Sequence, residues 1–112
     1  MGGYLELHVA CGSHDEALKI ARALVEAKLA ACANIIPEIR SIYRWNGEVQ
    51  DDSEALLLIK AKRENYAAIE QSILKLHSYE LPEITSFEIA SALPAYLAWI
   101  DHESLNLNGG GI

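Results

Sequence analysis

The sequence predicts an α+β domain: four strands and two helices in the order β-α-β-β-α-β, with a short helix appended after the last strand. Three features carry that prediction. Apolar and polar residues alternate from Tyr4 to Cys11, which is the period of a half-buried strand. Two stretches, near residues 14–30 and 63–76, repeat apolar residues at helical spacing. Between them Asn46-Gly47 offers a two-residue turn that accepts positive φ at both positions, the strongest short-range hairpin signal. Taken together, the order is the ferredoxin-like arrangement, an antiparallel sheet with both crossover helices on one face.

The opening strand places Leu5, Leu7, Val9 and Cys11 on one face, and Tyr4, Glu6, His8 and Ala10 on the other. Ser13-His14-Asp15-Glu16 then reads as a capping box, Ser13 and Glu16 satisfying each other's backbone donors. The helix it opens is expected to reach about Ala30, with Ala17, Ile20, Ala21, Leu24, Val25 and Lys28 on its inner side. Pro37 cannot donate to a ladder and marks a bulge or break in the first arm of the hairpin. A second helix spans about Arg63 to Leu76, with Tyr66, Ile69, Ile73 and Leu76 in register. Lys62 and Arg63 stand at its positive dipole end, and Glu64 offsets part of that cost. A polar loop, His77 to Glu83, leads into a strand from Ile84 to Ala90, and Pro94 suits the first turn of the last helix.

The hairpin is too long for the domain that carries it. Each arm would reach roughly 40 Å at a rise of ~3.3 Å per residue, whereas a domain of this size has a radius of gyration near ~13 Å. Its tip therefore projects, and a projecting strand edge needs a cover. Ala55-Leu56-Leu57-Leu58-Ile59 is apolar on both faces, as in strands covered on both sides. Both features predict self-association, with Tyr43 and Trp45 near the tip as interface anchors.

Composition bounds the function. The 112 residues give room for one domain and one core. A net charge of −7 opposes nucleic-acid binding, which needs a basic surface. No apolar run approaches the ~20 residues of a membrane span. The first residues lack the basic and apolar regions of a secretory signal. Two cysteines are too few for a disulfide framework. These readings predict a cytoplasmic protein with neither nucleic acid nor membrane as partner.

The topology sorts the candidate ligands. Cys11 closes the first strand and His77 follows the second helix, so both should lie at one end of the domain. Cys32 opens the second strand and belongs at the other end, which argues against a Cys11–Cys32 disulfide. A thiolate with an imidazole suits copper or zinc rather than magnesium or calcium. A third donor is needed, from Glu80, Glu83, His14, a second subunit or water. Against this stand plainer readings: Cys11 as a small core hydrophobe, His77 as a cation at a helix C-terminus, and His8 and His14 as structural or solvated. Nucleophilic catalysis would need Cys11 activated by a base, yet no orienting third residue is evident, so no catalytic residue is assigned.

Ala23 to Pro37, Ser41 to Gly47, Glu54 to Lys60, His77 to Ile84 and Pro94 to Ile100 together resemble the CutA family of divalent-cation-tolerance proteins, over about Leu5 to Asp101. The resemblance implies a single domain over 1–105, a flexible tail over 106–112, and a cytoplasmic homotrimer whose long hairpins cross between subunits. It also implies a role in tolerance of divalent metal ions, copper above all, with zinc and other cations left open. Cys11 matches the family's cysteine after the first strand, and His77 its histidine before the tyrosine loop. Ser78 departs from the usual proline, Ala61 from threonine and Leu93 from asparagine, and Leu76 stands where some members carry a second histidine. A rival reading is a PII-like trimeric sensor, with Lys60, Lys62, Arg63 and the loop Tyr79 to Glu83 lining an effector cleft between subunits.

Overall fold

A computed structural model describes residues 2–107 of the chain. The elements are β1 (Tyr4–Cys11), α1 (His14–Glu26), β2 (Cys32–Trp45), β3 (Glu48–Lys62), a 3-10 turn (Arg63–Asn65), α2 (Tyr66–Leu76), β4 (Ile84–Glu88) and α3 (Pro94–His102). The four strands form one antiparallel sheet in the order β2-β3-β1-β4. This is the predicted α+β arrangement. The expected flexible tail begins inside the described residues, but 108–112 lie outside them.

The core forms where the inward strand residues meet the helices. Leu5, Leu7, Val9 and Cys11 of β1 and Ala55, Leu57, Ile59 and Ala61 of β3 are buried against Ile20 and Leu24 of α1 and Ile69 and Ile73 of α2. Strand alternation puts Leu56 and Leu58 on the opposite face, where they are half-buried. That face is not wholly bare, as the two-helix layout suggested. The Tyr4 hydroxyl donates to Asp101 at 2.5 Å, and Tyr96 lies close enough to Cys32 and Glu6 to feel both. Tyr4, Glu6 and Cys32 share the face of Leu56 and Leu58 by register, so α3 crosses this face at one end.

The hairpin turn has φ of 52° at Asn46 and 81° at Gly47, the signs a type I′ connection needs. The molecule measures 49 × 27 × 24 Å, its long axis reflecting the projecting arms. The predicted bulge lies at Pro37: Ile36 pairs with Leu56, but the next pair is Ile39 with Glu54. One extra residue on β2 reverses its alternation. Beyond the bulge, Ile39, Tyr43 and Trp45 therefore share the face of Leu56 and Leu58. Arg40 grips Asp51 through two 2.8 Å bonds and the Tyr43 hydroxyl donates to Asp52 at 2.6 Å, fixing the tip's register.

Three boundaries differ from expectation, the first being that α2 begins at Tyr66, after the 3-10 turn Arg63–Asn65, rather than at about Arg63. β4 ends at Glu88 rather than Ala90, although Ile89 still donates its N–H to the Tyr4 carbonyl. α1 ends at Glu26, short of Ala30, and Val25 and Lys28 are exposed rather than inward. The stop is a Schellman motif: Lys28 takes φ of 62°, its N–H bonds the Val25 carbonyl, and the Leu29 N–H bonds the Leu24 carbonyl. Glycine usually fills this left-handed position, because a Cβ costs roughly 1–2 kcal/mol there. Lys28→Gly should therefore stabilise the fold by about 0.5–1 kcal/mol after the added freedom of the unfolded chain is deducted. Urea denaturation would measure this; an unchanged or lowered midpoint would contradict it.

Candidate metal centre

Three elements end at one corner of the domain. β1 stops at Cys11, α1 starts after its cap Ser13, and α2 stops at its cap His77. Cys11 Sγ, a Glu16 carboxylate oxygen and a His77 ring nitrogen lie within 4.8 Å of one another there. The Cys11 and His77 side chains have no exposed surface, and Glu16 is largely buried. Cys32 lies elsewhere: it pairs with Lys60, whereas Cys11 pairs with Ala55 further along the same strand. Both cysteines are free thiols.

Local hydrogen bonds explain the convergence. Ser13 Oγ accepts the Glu16 N–H at 3.1 Å, which is half of the predicted capping box. The other half is shifted, because the Glu16 carboxylate accepts from Gly12 N–H at 3.1 Å and from Ser78 N–H at 2.7 Å. Glu16 thus bridges the start of α1 to the loop after α2. His77 ends α2 with its N–H on the Ile73 carbonyl at 2.8 Å, then turns into extended backbone. Its Nδ1 accepts the Tyr79 N–H at 3.1 Å, so the ring hydrogen sits on Nε2, which donates to the Ala10 carbonyl at 2.8 Å.

Tyr79 closes the corner. Its ring lies 4.8 Å from the His77 ring and packs on the backbone of Gly12, where a Cβ would come within 3.2 Å of it. The hydroxyl donates to Glu54 at 2.7 Å, the first residue of β3 beyond its pairing with β1. Burial, the bond to Glu54 and that group's charge all raise the phenol's pKa.

Electrostatics distinguish the donors. Burial, then the charges of Glu16 and Glu54, push the Cys11 thiol up to about 12, the reverse of what an activated nucleophile requires. Burial acts to raise the Glu16 carboxyl, but hydrogen bonds from Ser78 and Gly12, together with His77, outweigh it and hold the group below its ordinary value. A sulfur, a nitrogen and a carboxylate oxygen form a set that suits zinc or copper.

Sequence reasoning missed Glu16, because the capping box already accounted for it. The signal available was topological: a carboxylate in the first turn of α1 stands beside the end of β1. The other proposed third donors fall elsewhere; His14, Glu80 and Glu83 are exposed, and none belongs to the cluster. Ser78 matters for a related reason. The proline usual there in the resembled family would offer no N–H to Glu16. His8, expected to be structural or solvated, is 2.9 Å from Glu6 and packs against Phe87 with the rings tilted by 47°.

The basic residues of the sensor reading do not converge with the tyrosine loop in this chain. Lys60 bonds Asn34 at 2.6 Å, Lys62 lies 3.5 Å from Glu64, and Arg63 pairs with Glu88. All three sit at the Tyr4 end of the sheet, opposite Tyr79. Beside Tyr79 is an open groove of about 790 Å³ between the hairpin and the loop, lined by Tyr43, Trp45, Glu80 and Leu81 among others.

A small α+β protein with an antiparallel sheet and a buried sulfur–nitrogen–oxygen corner is the class this geometry defines. The chain belongs to the CutA1 divalent ion tolerance protein family, matched over residues 6–103. It is 46% identical over 88 residues to the divalent-cation tolerance protein CutA of Thermus thermophilus, covering 79% of this chain and 85% of that one. It is 41% identical over 99 residues to a CutA homolog of Xenopus laevis, covering 88% of this chain but 66% of the relative. Against mouse protein CutA the chain spans 58% of the relative's length. Among solved structures, CutA1 from Shewanella sp. SIB1 superposes with a TM-score of 0.90 at 38% identity, covering 93% of this chain and 97% of that one. The protein from Archaeoglobus fulgidus, described as a periplasmic divalent cation tolerance protein, gives 0.87 at 33%, covering 89% and 97%.

The raised Cys11 thiol has a consequence for stability. A group whose pKa is higher in the fold than in the unfolded chain stabilises fully below its ordinary value and progressively less above it. Stability should therefore fall between about pH 9 and pH 12, by up to ~1.4 kcal/mol per pH unit for this one proton. The phenol of Tyr79 adds to the loss in the same direction. Urea titrations across that range should show a shallower slope for Cys11→Ala; parallel slopes would contradict the assignment.

Proposed function

We propose that this protein acts in divalent-cation tolerance by holding a metal ion at the Cys11–Glu16–His77 corner, copper first and zinc next. It does so as a homotrimer in a reducing cytoplasm. The observation that carries the reading is the convergence of three different donor atoms within 4.8 Å in a buried corner. Cys11, His77 and Glu16 would be the ligands, and the bound ion is cargo rather than a reagent. No catalytic role is assigned.

The trimer draws support from surface that one chain leaves open. Ile36, Tyr43 and Trp45 of β2 and Phe87 of β4, all on the face of Leu56 and Leu58, are 40%, 40%, 39% and 53% exposed. Contiguous apolar surface of this kind marks a protein contact. Sedimentation should give a mass near three times the 12.3 kDa chain; a monomer at micromolar concentration would refute the assembly.

Metal binding is tested by competitive titration of the reduced protein with Cu(I), Cu(II) and Zn(II). Cys11→Ser, His77→Ala and Glu16→Gln should each weaken affinity by at least about tenfold, since even residues that only orient a ligand cost about 10–100-fold. Binding must expel the Cys11 proton. Affinity should therefore climb by about tenfold per unit from pH 6.5 to 8.5, and Cys11→Ser should lose that dependence. Equal affinities for all variants would overturn the site.

A further inference from the structure

Two of the three donor groups at the corner already accept hydrogen bonds from the loop after α2. The Tyr79 N–H sits on His77 Nδ1 at 3.1 Å, and the Ser78 N–H sits on Glu16 Oε2 at 2.7 Å. These are the two acceptor atoms that face each other, 4.0 Å apart. An ion bound between them would need the one lone pair of His77 Nδ1 that the Tyr79 amide uses, and would have to share Glu16 Oε2 with the Ser78 amide. Solvent reaches only Glu16 among the donors, and only slightly, as Cys11 and His77 have no exposed side-chain surface. The Tyr79 ring, packed against Gly12 and beside His77, is part of what shuts the corner. Its hydroxyl is anchored at the far side to Glu54.

We infer that residues 78–79 form a latch that competes with the ion for the same two ligand atoms. Loading requires the Ser78 and Tyr79 amides to leave Glu16 and His77, and the Tyr79–Glu54 bond sets how readily they do so. The inference rests on the metal reading above and adds its regulation. Its physical content is a conformational cost: affinity is reduced by the fraction of time the latch spends closed. Weakening the latch must therefore tighten metal binding, whereas removing a ligand loosens it. These opposite signs separate a latch from residues that merely support the site.

The latch also connects the corner to the groove beside it. Tyr79 lines that groove with Tyr43 and Trp45 of the hairpin. Displacing the ring on loading changes the groove wall, so the metal state is expressed on a surface outside the ligand set.

The experiment uses Zn(II) with the reduced full chain in its native assembly. Hydrogen exchange at the Ser78 and Tyr79 amides is followed with and without the ion, and rates of Zn(II) association are measured by stopped flow. Exchange at both amides should rise by at least about tenfold on loading. Tyr79→Phe keeps the ring but removes its bond to a charged acceptor, so affinity and association rate should both increase by about tenfold; Glu54→Gln should shift them the same way. Cys11→Ser should weaken binding in the same assay. Zinc bound through Cys11 with both amides still protected, and with Tyr79→Phe unchanged, would overturn the latch and leave the metal site standing. Zinc bound by neither the native protein nor Tyr79→Phe, or bound without dependence on Cys11, would overturn both.

Discussion

The structure depends on β3 being paired with two strands over different lengths. From Lys62 back to Ala55 it pairs with β1, and from Lys60 onward with β2 as well; from Glu54 to Glu48 it has only β2. The first stretch is central in the sheet and carries the buried run Ala55, Leu57, Ile59 and Ala61. The second is a two-stranded ribbon, which is marginal in water without further cover. Where β1 stops, the chain changes from core to projection, and that boundary is where Cys11 ends its strand. Glu54, the next residue of β3, is buried there and holds Tyr79. The donor corner and the hairpin are two consequences of one mismatch in strand length.

That boundary also explains the chemistry of the corner. The end of a strand, the start of one helix and the end of another leave free backbone N–H and C=O groups close together. Side chains and loop amides satisfy them: Glu16 takes the donors of Gly12 and Ser78, and His77 links the Ala10 carbonyl to the Tyr79 N–H. Groups placed for backbone accounting happen to include a thiol, an imidazole and a carboxylate. Burial first, and then the charges of Glu16 and Glu54, keep Cys11 protonated in the absence of a cation. A positive ion would reverse that balance, since it favours the charged form of every donor around it.

The bulge at Pro37 has a comparable role in the ribbon. Without it, Tyr43 and Trp45 would fall on the face of the helices. With it, they share the face of Leu56 and Leu58, so the apolar surface of the sheet continues out along the hairpin. Phe87 stands on the same side, beside His8. A single continuous surface is better suited to packing against another chain than patches on opposite faces would be.

Much of this was legible in the sequence because local rules determine it. Alternation placed β1, Asn46-Gly47 placed the turn, Pro37 placed the bulge, and Pro94 placed the start of α3, each through a backbone preference that acts over a few residues. The order of elements then put Cys11 and His77 at one end and Cys32 at the other. Tertiary structure decided the rest. Glu16 read as a cap because its partner Ser13 is three residues away, while its bond to Ser78 spans 62 residues and leaves no local pattern. The early stop of α1 at Glu26 rests on Lys28 accepting a left-handed conformation, which its residue type does not advertise. The latch on His77 needs one loop amide to meet one ring nitrogen, a matter of where chain ends fall in space. Periodicity carries the faces of strands and helices; it carries nothing about which ends meet.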